Sequence, residues 1–357
     1  MTMAIPELLS NLLRAPGPSG QEVRPAAIWR DWCRPFAAEV DVDHMGSSWA
    51  RIPGKGPDPA HPSLAVVGHI DEIGVHITHI TDEGFLRFGQ VGGWDPINLV
   101  SQRVVIDTLA GPVHGVIGRK AIHLLTDEER KEVPKLKNLH IDIGASDADE
   151  ARSRVRIGDV GVVDAEPLEL SDDLLVSRAL DNRIGCYVAA RAAQIVQQAG
   201  GSPGPFLAMA VVQEEVGLHG ASTSTYRHKP DVAIAIDVTH ATDSPGIELG
   251  ETTKHSLGSG PVIERGTVIH PRVFELLYEA AEAEGIPYTI ASSARGTGTD
   301  ADAIYINRAG VPTGLVSVPL RYMHSSVETI SLEDAENTAK LVASFAMRLQ
   351  PGTEFVR

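Results

Sequence analysis

The chain has 357 residues, of which 43% are hydrophobic and 22% are charged. This composition supplies enough apolar material for a buried core and excludes a wholly disordered chain, and the length suggests about two domains. The formal net charge of −16 would repel the phosphate groups of nucleic acids and of anionic membranes, so we expect neither as a main partner.

Two cysteines, Cys33 and Cys186, occur in dissimilar surroundings. They are too few for a disulfide framework or a cysteine-based zinc site, so a reducing cytoplasm is the expected location. The N-terminal residues show no basic start followed by an apolar run, which predicts no signal peptide. No stretch approaches the ~18 uninterrupted apolar residues of a membrane helix, so no membrane span is predicted.

In the first half of the chain, sequence patterns typical of helices are followed by patterns typical of β-strands. Leucines at helical spacing predict a helix over residues 1–15, and Gln21–Phe36 is predicted to form a second one. The apolar run Ser63–Gly68 is typical of a buried strand. From about Gly74 to Asp164, short Val/Ile-rich runs alternate with glycine and aspartate, which predicts an antiparallel β module. The charged stretch 126–138 within it is predicted to be a surface excursion.

From about Leu168 helices and strands alternate again. The predicted elements are, in order, a helix, two strands, a helix, two strands and a helix: Asp181–Ala199, Phe206–Gln213, Val232–Ile236, Pro271–Glu284, Tyr288–Ala291, Gly314–Val318 and Leu332–Leu349. Such alternation predicts a mostly parallel sheet covered by helices on both faces. We therefore predict an α/β domain of residues 1–74 and 166–357, interrupted by a β-rich domain of residues 75–165.

Histidines and carboxylates follow the predicted strands at the point where each strand ends, and an aspartate opens one helix. In chain order these residues are His69, Asp181, Glu214, Glu215, Asp237 and His324. Ligands of open α/β sheets bind beyond the carboxyl ends of the strands, so we expect these side chains to converge. Imidazole nitrogen and carboxylate oxygen suit zinc and similar divalent ions, and the sequence therefore predicts a metal centre.

The donors suffice for two divalent ions in each subunit. Two neighbouring ions need a carboxylate that bridges them, and Asp181 is our candidate. His69 and Asp237 would then complete the site of one ion, and Glu215 and His324 the site of the other. Zinc is the expected metal, and cobalt and manganese accept the same ligands.

The adjacent residues Glu214 and Glu215 are predicted to have different roles. Neighbouring residues of an extended chain point in opposite directions, so at a strand end that bends one carboxylate can bind metal while the other faces the reacting water. We assign Glu215 as the ligand and Glu214 as the general base. Asp71 lies two residues after His69 and is placed to orient the His69 imidazole.

Each of these residues has an ordinary structural explanation when it is considered singly. His69 could be an interior histidine, the Glu214–Glu215 pair a solvated surface, and Asp181 a helix cap. Their joint position at the strand ends favours the metal centre. His219 and His240 stay alternative ligands, because they lie close to predicted ligands in the sequence.

Two other kinds of catalytic site are not supported by the sequence. The segment Gly296–Asp300, GTGTD, lacks the Gly-Lys-Ser/Thr ending of a phosphate-binding loop and opens no obvious helix. We interpret it as a loop at the sheet edge that reaches the active site. The chain contains no G-x-S-x-G sequence, so a serine nucleophile elbow is not predicted.

Eight segments spread over nearly the whole chain resemble one known family: APGPSGQE at 15–22, GHIDEIG at 68–74, HIDIGASDADEA at 140–151, VSRALDNRIGCY at 176–187, VQEEVGLHGA at 212–221, IAIDVTHATD at 234–243, GTGTDADAI at 296–304 and LRYMHSSVET at 320–329. Together they are similar to the tetrahedral aminopeptidases, the glutamyl- and leucyl-aminopeptidase-like enzymes of metallopeptidase family 42. The chain departs from the family pattern at Gly296–Gly298, where the family has two adjacent glycines before its Thr-Asp.

The resemblance implies the same site residues. By position, the family's metal ligands are His69, Asp181, Glu215, Asp237 and His324, with Asp181 bridging, Glu214 as the catalytic base and Asp71 as the carboxylate behind the first histidine. It also implies an α/β catalytic domain with a β-rich, PDZ-like insert at residues 75–165. In this family the insert drives assembly into homo-oligomers, commonly hollow tetrahedral dodecamers.

The activity implied is the hydrolysis of N-terminal residues from peptides that have a free N-terminus. Two alternatives stay open: another metal-dependent amidohydrolase, such as a deacylase or a carboxypeptidase-like enzyme, and a catalytically silent assembly module. Asp300 and Arg321 are candidate substrate-binding residues. Arg321, beside His324, would favour an acidic side chain of the substrate, or it would pair with an internal carboxylate.

Overall fold

The computed structural model describes residues 4–55, 61–248 and 253–356. Its first elements are two helices and three strands: α1 (Glu7–Arg14), α2 (Val23–Cys33), β1 (Glu39–Val42), β2 (Ser48–Ile52) and β3 (Leu64–His69). The leucines of α1 are buried, as their spacing predicted, although residues 1–3 of the predicted helix lie outside the described residues. β3 is buried along its whole length, which agrees with its continuous apolar run.

The next segment of the chain forms a closed barrel of six strands: β4 (Gly74–Ile80), β5 (Leu86–Val91), β6 (Arg103–Thr108), β7 (Gly111–Gly118), β8 (His140–Asp142) and β9 (Val160–Val163). Neighbouring strands pair antiparallel in the order β4, β5, β8, β7, β6, β9, and β9 pairs with β4 again. Two short helices, α3 (Pro96–Leu99) and α4 (Ala148–Arg154), lie between the strands.

The barrel has a hydrophobic core of its own, in which Ile77, Leu86, Val104 and Ile141 are fully buried. The antiparallel β module predicted from about residue 74 to residue 164 is therefore confirmed. The charged stretch 126–138 is mainly exposed, as predicted. The PDZ-like form of this segment and its boundaries at residues 75 and 165 stay predictions.

The remaining elements return to the α/β pattern: β10 (Leu168–Glu169), β11 (Leu174–Ser177), α5 (Leu180–Gln198), β12 (Phe206–Val211), α6 (His219–His228), β13 (Val232–His240), β14 (Val262–Gly266), α7 (Pro271–Glu284), β15 (Thr289–Ser293), α8 (Asp300–Ile304), β16 (Thr313–Leu320), β17 (Glu328–Ser331) and α9 (Leu332–Arg348). None of the described helices is both long enough and apolar enough to cross a membrane.

The strands outside the barrel form an eight-stranded sheet in the order β1, β2, β12, β3, β13, β16, β14, β15. Its four central strands, β12, β3, β13 and β16, are parallel to one another, whereas β2 and β14 pair antiparallel with this central group. A separate antiparallel sheet joins β10, β11 and β17. The fold is therefore mixed α/β. The four central strands are parallel, as predicted, and the strand on each side of them, β2 or β14, runs antiparallel.

The central helix of the fold is α5, which contacts β3, β12, β13 and α9. Most of its side chains are buried. A Cβ on Gly68 of β3 would lie 2.5 Å from the carbonyl carbon of Gly185 in α5, so this close approach of strand and helix requires glycine. Cys186 is fully buried in the same core, in agreement with the packing role predicted for it.

Two local predictions differ from the structure, and helix α6 was not predicted. β13 runs on to His240, so Asp237 lies inside a strand and not beyond its end. The GTGTD segment leads into α8, where the Thr299 side chain accepts a hydrogen bond from the Ala301 N–H, so it opens a short helix as well as forming a loop. The sequence of α6 did not predict a helix, because serine, threonine and histidine are weak helix formers. Packing of α6 against β12 and α8 outweighs that weak propensity.

Candidate metal centre

A cleft of about 570 Å³ lies at the carboxyl ends of the central parallel strands. β3 ends at His69, a short turn after β12 carries Glu214 and Glu215, and the segment after β16 carries His324. All five predicted ligands and the predicted base line this cleft: His69, Asp181, Glu214, Glu215, Asp237 and His324. The convergence that the sequence predicts is thus present in the fold.

Asp181 lies between the two histidines, and the peptide bond that follows it is cis. Its Oδ1 is 3.3 Å from Nε2 of His69, and its Oδ2 is 3.3 Å from Nε2 of His324. These distances are long for hydrogen bonds, whereas two atoms bound at about 2.0 Å to one tetrahedral zinc ion lie about 3.3 Å apart. The geometry therefore fits a carboxylate that shares its two oxygens between two cations.

The other predicted ligands complete two groups of donors. Nε2 of His324 is 3.3 Å from Oε1 of Glu215. Two sets of three side chains each bring one ligand atom within 4.8 Å of the others: His69 with Asp181 and Glu215, and His69 with Glu214 and Asp237. The second set includes the predicted base, so Glu214 lies near enough to bind an ion itself, and its role requires a direct test.

The loop that carries Glu214 and Glu215 is held by Asp71. Gln213 adopts a left-handed backbone with φ 58°, which breaks the extended chain after β12. The N–H groups of Glu214 and Glu215 then donate to the two oxygens of Asp71, each over 3.2 Å. The Ser19 hydroxyl donates to the same carboxylate over 2.7 Å. Asp71 therefore fixes the backbone of this turn.

Asp71 also lies behind the first histidine, as predicted. Its Oδ1 is 3.4 Å from Nδ1 of His69, which is longer than an ordinary hydrogen bond. Although burial acts in the opposite direction, the His69 imidazole and the Ser19 hydroxyl hold the pKa of Asp71 below its usual range. Asp71 is therefore a fixed negative charge that faces the His69 ring.

Glu328 binds the backbone on the other side of the centre, and no pattern in the sequence predicted this role. Its Oε1 accepts a hydrogen bond from the His324 N–H over 2.9 Å, and its Oε2 accepts one from the Asp181 N–H over 3.1 Å. The residue is only 2% exposed. One buried carboxylate thus ties together the backbones of the predicted bridging ligand and of the second histidine.

We expect Glu328→Gln to weaken metal binding by about tenfold or more, because groups that orient ligands typically contribute 10–100-fold to affinity. The amide NH₂ of glutamine cannot accept a hydrogen bond, so one of the two backbone contacts is lost. Competition with a chelator measures the affinity. Glu333→Gln is the control, since Glu333 is an exposed glutamate in the first turn of α9. Equal affinities of the two variants would contradict the expectation.

The electrostatics of the cleft favour cations. Burial raises the pKa of Glu214 to about 9, against the opposing effect of the His69 imidazole. Burial also raises the pKa of Asp237 well above its usual range. The carboxylates of Asp181 and Glu215 raise the pKa of His324 to about 11. Carboxylates at this density repel one another, and divalent ions bound among them would relieve that repulsion. The donor set therefore fits the metal that the sequence predicts.

Two further predicted residues do not line the cleft. Asp300 is 1% exposed, and among the described residues neither of its carboxylate oxygens has a hydrogen-bond partner. Burial raises its pKa to about 7. Arg321 forms a bidentate pair with Asp243, over 2.9 and 2.7 Å, which is the internal pairing that the sequence left open. Of the two alternative histidines, His240 lines the cleft and His219 does not.

A mixed α/β sheet whose strand ends converge on histidine and carboxylate donors is typical of metal-dependent hydrolases. Comparisons with known proteins assign the chain more closely. Residues 46–341 match the family model described as M42 glutamyl aminopeptidase. The chain belongs to the M42 aminopeptidase family, and the predictions of the family and of metal-dependent aminopeptidase activity are confirmed.

Similar proteins cover almost the whole chain. The lysyl aminopeptidase of Pyrococcus furiosus is 35% identical over 97% of this chain and 97% of its own length. The TET aminopeptidase of Thaumarchaeota archaeon SCGC AB-539-E09 is 36% identical, with a TM-score of 0.91 and coverage of 96% of each chain. The TET1 peptidase of Pyrococcus horikoshii, which can assemble into a tetrahedron or a large octahedral shell, is 34% identical, with a TM-score of 0.84 and coverage of 96% and 99%.

Proposed function

We propose that each subunit removes N-terminal residues from peptides by means of two divalent ions, most simply zinc, that share Asp181. The observation that carries this proposal is the position of Asp181, whose two oxygens each lie 3.3 Å from a different histidine. His69 and Asp237 would hold one ion, and Glu215 and His324 the other. The bound ions supply Lewis-acid activation of water and of the scissile carbonyl.

Glu214 is the general base in this proposal. It lines the cleft, and its Oε2 is 3.7 Å from Nε2 of His69. Its carboxylate accepts the proton of the attacking water and delivers it to the nitrogen of the leaving peptide. Burial raises the pKa of Glu214, and divalent ions bound beside it would lower that pKa again, so the carboxylate would be ionised and able to accept the proton.

The cleft supports selection of a free N-terminus through the ions that it would hold. Its four carboxylates belong to Asp181, Glu214, Glu215 and Asp237, and two divalent ions would offset their charge, so attraction of a cationic amine does not account for the selection. A neutral α-amino group would offer its lone pair to a bound ion, whereas the lone pair of an acylated nitrogen is delocalised into the carbonyl group. Nitrogens inside a peptide chain are acylated in the same way, so the cleft would favour cleavage at the N-terminus.

The substrate side chain that we propose is neutral. Besides the ligands and the base, the described part of the cleft wall consists of apolar, hydroxyl and imidazole side chains and two glycines: Gly93, Leu218, Val238, Thr239, His240, Thr297, Gly298, Thr299 and Met323. An acidic side chain would find no arginine there, since Arg321 is paired with Asp243. The names of the family and of the P. furiosus relative refer to glutamyl and lysyl substrates, whereas the part of this wall outside the ligands and the base holds no charged side chain of the kind that would pair with either among the described residues.

Purified protein supplied with zinc or cobalt should therefore cleave aminoacyl chromogenic amides and spare their N-acetylated forms. Leucyl and methionyl compounds should be turned over faster than glutamyl ones. Release of the chromophore at matched substrate concentrations measures both effects. Cleavage of the acetylated compounds would instead indicate another amidohydrolase, and a preference for glutamyl compounds would contradict only the neutral side-chain pocket.

We further propose that the barrel segment, residues 75–165, is a PDZ-like assembly domain and that the protein is a cytoplasmic homo-oligomer, in the form of a tetrahedral dodecamer. The likeness to a peptidase that forms a tetrahedron supports this proposal. Apolar side chains on the barrel are also exposed, among them Leu109 at 89% and Leu124 at 69%. Exposed apolar groups of this kind are suited to contacts between subunits. Analytical ultracentrifugation distinguishes a dimer from a dodecamer.

A further inference from the structure

The barrel reaches the metal centre through the loop that follows β5. The carbonyl oxygen of Gly93 in this loop lies 2.7 Å from Nδ1 of His324. Gly93 itself lines the cleft. One wall of the centre is thus formed by the barrel, although all the predicted ligands belong to the other part of the chain.

The neighbouring residue, Gly92, approaches a second ligand. A Cβ added to Gly92 would lie 3.0 Å from Oε2 of Glu215, so the loop backbone passes close to this carboxylate. A Cβ on Gly93 would lie 3.2 Å from Nδ1 of His324. Glu215 and His324 are the two ligands assigned to the same ion. Among the described contacts of Gly92 and Gly93, none involves His69 or Asp237, which are assigned to the other ion.

The barrel fixes the position of this loop. The indole N–H of Trp94 donates to the carbonyl oxygen of Gly74 over 3.0 Å, and Trp94 is packed in the barrel core. The next residue, Asp95, caps α3 by accepting a hydrogen bond from the Ile97 N–H over 3.0 Å. The Gly93 carbonyl is therefore held by the barrel fold and is not free to follow a movement of His324.

A carbonyl in this position determines how the imidazole binds metal. Nε2 of His324 faces Asp181 and Glu215, each at 3.3 Å, so Nε2 is the nitrogen available to an ion. Nδ1 then carries the proton, and the Nδ1–H group donates a hydrogen bond to the carbonyl oxygen of Gly93. Such a hydrogen bond fixes the tautomer and the orientation of a metal-binding histidine and increases its basicity.

We propose that the barrel is part of the metal centre: Gly93 is a positioning residue whose carbonyl sets the affinity for the ion held by His324 and Glu215, and the ion held by His69 and Asp237 does not depend on it. This inference rests on the proposed two-ion function. It gives the barrel a role in metal binding that is separate from assembly.

The test compares Gly93→Ala with Gly89→Ala. The new methyl group at position 93 displaces the His324 ring by a few tenths of an ångström, because its Cβ would lie 3.2 Å from Nδ1. Gly89 lies in β5 of the same barrel, and a Cβ there would meet only Thr78 Cγ2 at 3.6 Å, so Gly89→Ala is the matched control. Chelator-treated protein is titrated calorimetrically with zinc, and with cobalt while the cobalt absorption spectrum is recorded.

Gly93→Ala should lower the affinity for one of the two metal ions by about tenfold or more. The cobalt absorption spectrum should change for that ion alone. Gly89→Ala should match the wild type in both. Trp94→Phe removes the indole N–H that anchors the loop without adding an atom near His324, and it should lower the affinity for the same ion. Agreement of these two variants excludes a simple steric effect of the alanine, and their melting temperatures show whether they fold.

Three outcomes overturn the inference. Two equivalents of wild-type affinity in both Gly93→Ala and Trp94→Phe would show that the position of this loop has no influence on metal binding. An equal loss in both equivalents would show that the effect is not confined to one ion. A wild-type protein that binds fewer than two ions would contradict the proposed function as well, whereas the first two outcomes leave the proposed function intact.

Discussion

Glu214→Gln is expected to lower kcat by about 10²-fold or more while the protein still binds two metal ions, because a general base contributes about 10²–10⁴ to the rate. Glutamine has nearly the shape of glutamate, but it cannot accept the proton of the attacking water at neutral pH. The measurement pairs steady-state kinetics on a leucyl amide with the metal content of the same preparation.

The neighbouring residue supplies the matched control for this experiment. Oε1 of Glu215 lies 3.3 Å from Nε2 of His324, so Glu215→Gln should lose affinity for one ion, and added metal should partly restore its activity. Glu214→Gln should not be rescued by added metal. The two substitutions are chemically identical and one residue apart, so a difference between them reports the role of each carboxylate.

A contrary result for Glu214 has a clear structural meaning. Glu214, His69 and Asp237 each place a ligand atom within 4.8 Å of the others, so Glu214 could bind the ion that is assigned to His69. In that case Glu214→Gln would contain less metal and would recover on addition of more. Activity equal to the wild type would exclude both roles.

Most of the candidate metal ligands could be predicted from their position at the carboxyl ends of strands, because the strands that precede them are parallel neighbours in the sheet. Val211, the last residue of β12, lies opposite His69, so the turn that follows β12 reaches the same edge. Asp237 does not lie at the end of its strand, since β13 continues to His240. β13 pairs with β3 so that Ala235 lies opposite Val67, and two residues further along the same register Asp237 is level with His69.

The residues that the sequence did not predict form contacts in which one partner is a backbone atom. The side chain of Glu328 accepts hydrogen bonds from two backbone N–H groups, and Gly93 offers a backbone carbonyl to a side chain. The chemistry of a side chain predicts which residues can bind metal, but a backbone carbonyl is common to every residue type. Its position depends on how the barrel packs against the sheet, and that packing joins residues 231 positions apart.

The burial of Asp300 shows a second limit of sequence analysis. GTGTD was correctly placed at the site, since Thr297, Gly298 and Thr299 line the cleft. The sequence suggested that Asp300 itself contacts substrate, yet α8 begins at this residue and the side chain is almost fully buried. Successive side chains of a helix point about 100° apart, so the residue of this segment that faces the cleft depends on where α8 begins, which composition and spacing do not reveal.

Asp181→Ala is expected to have the largest effect of all, with the loss of both ions and a decrease in kcat/KM of about 10³-fold or more. Lewis-acid activation by metal is worth several kcal/mol, and each ~1.4 kcal/mol corresponds to a factor of ten in rate. Because its two oxygens face His69 and His324 equally, at 3.3 Å, truncation of this one side chain removes a ligand from both ions.

Metal content per chain is the decisive measurement for Asp181, together with activity at increasing zinc concentration. Asp149→Ala is the control, because the side chain of Asp149 is 96% exposed in the first turn of α4. Glu215→Gln should retain one ion under conditions in which Asp181→Ala retains none, since Asp181 bridges the pair and Glu215 does not. Retention of one tightly bound ion by Asp181→Ala would contradict the bridging role and would assign Asp181 to a single ion.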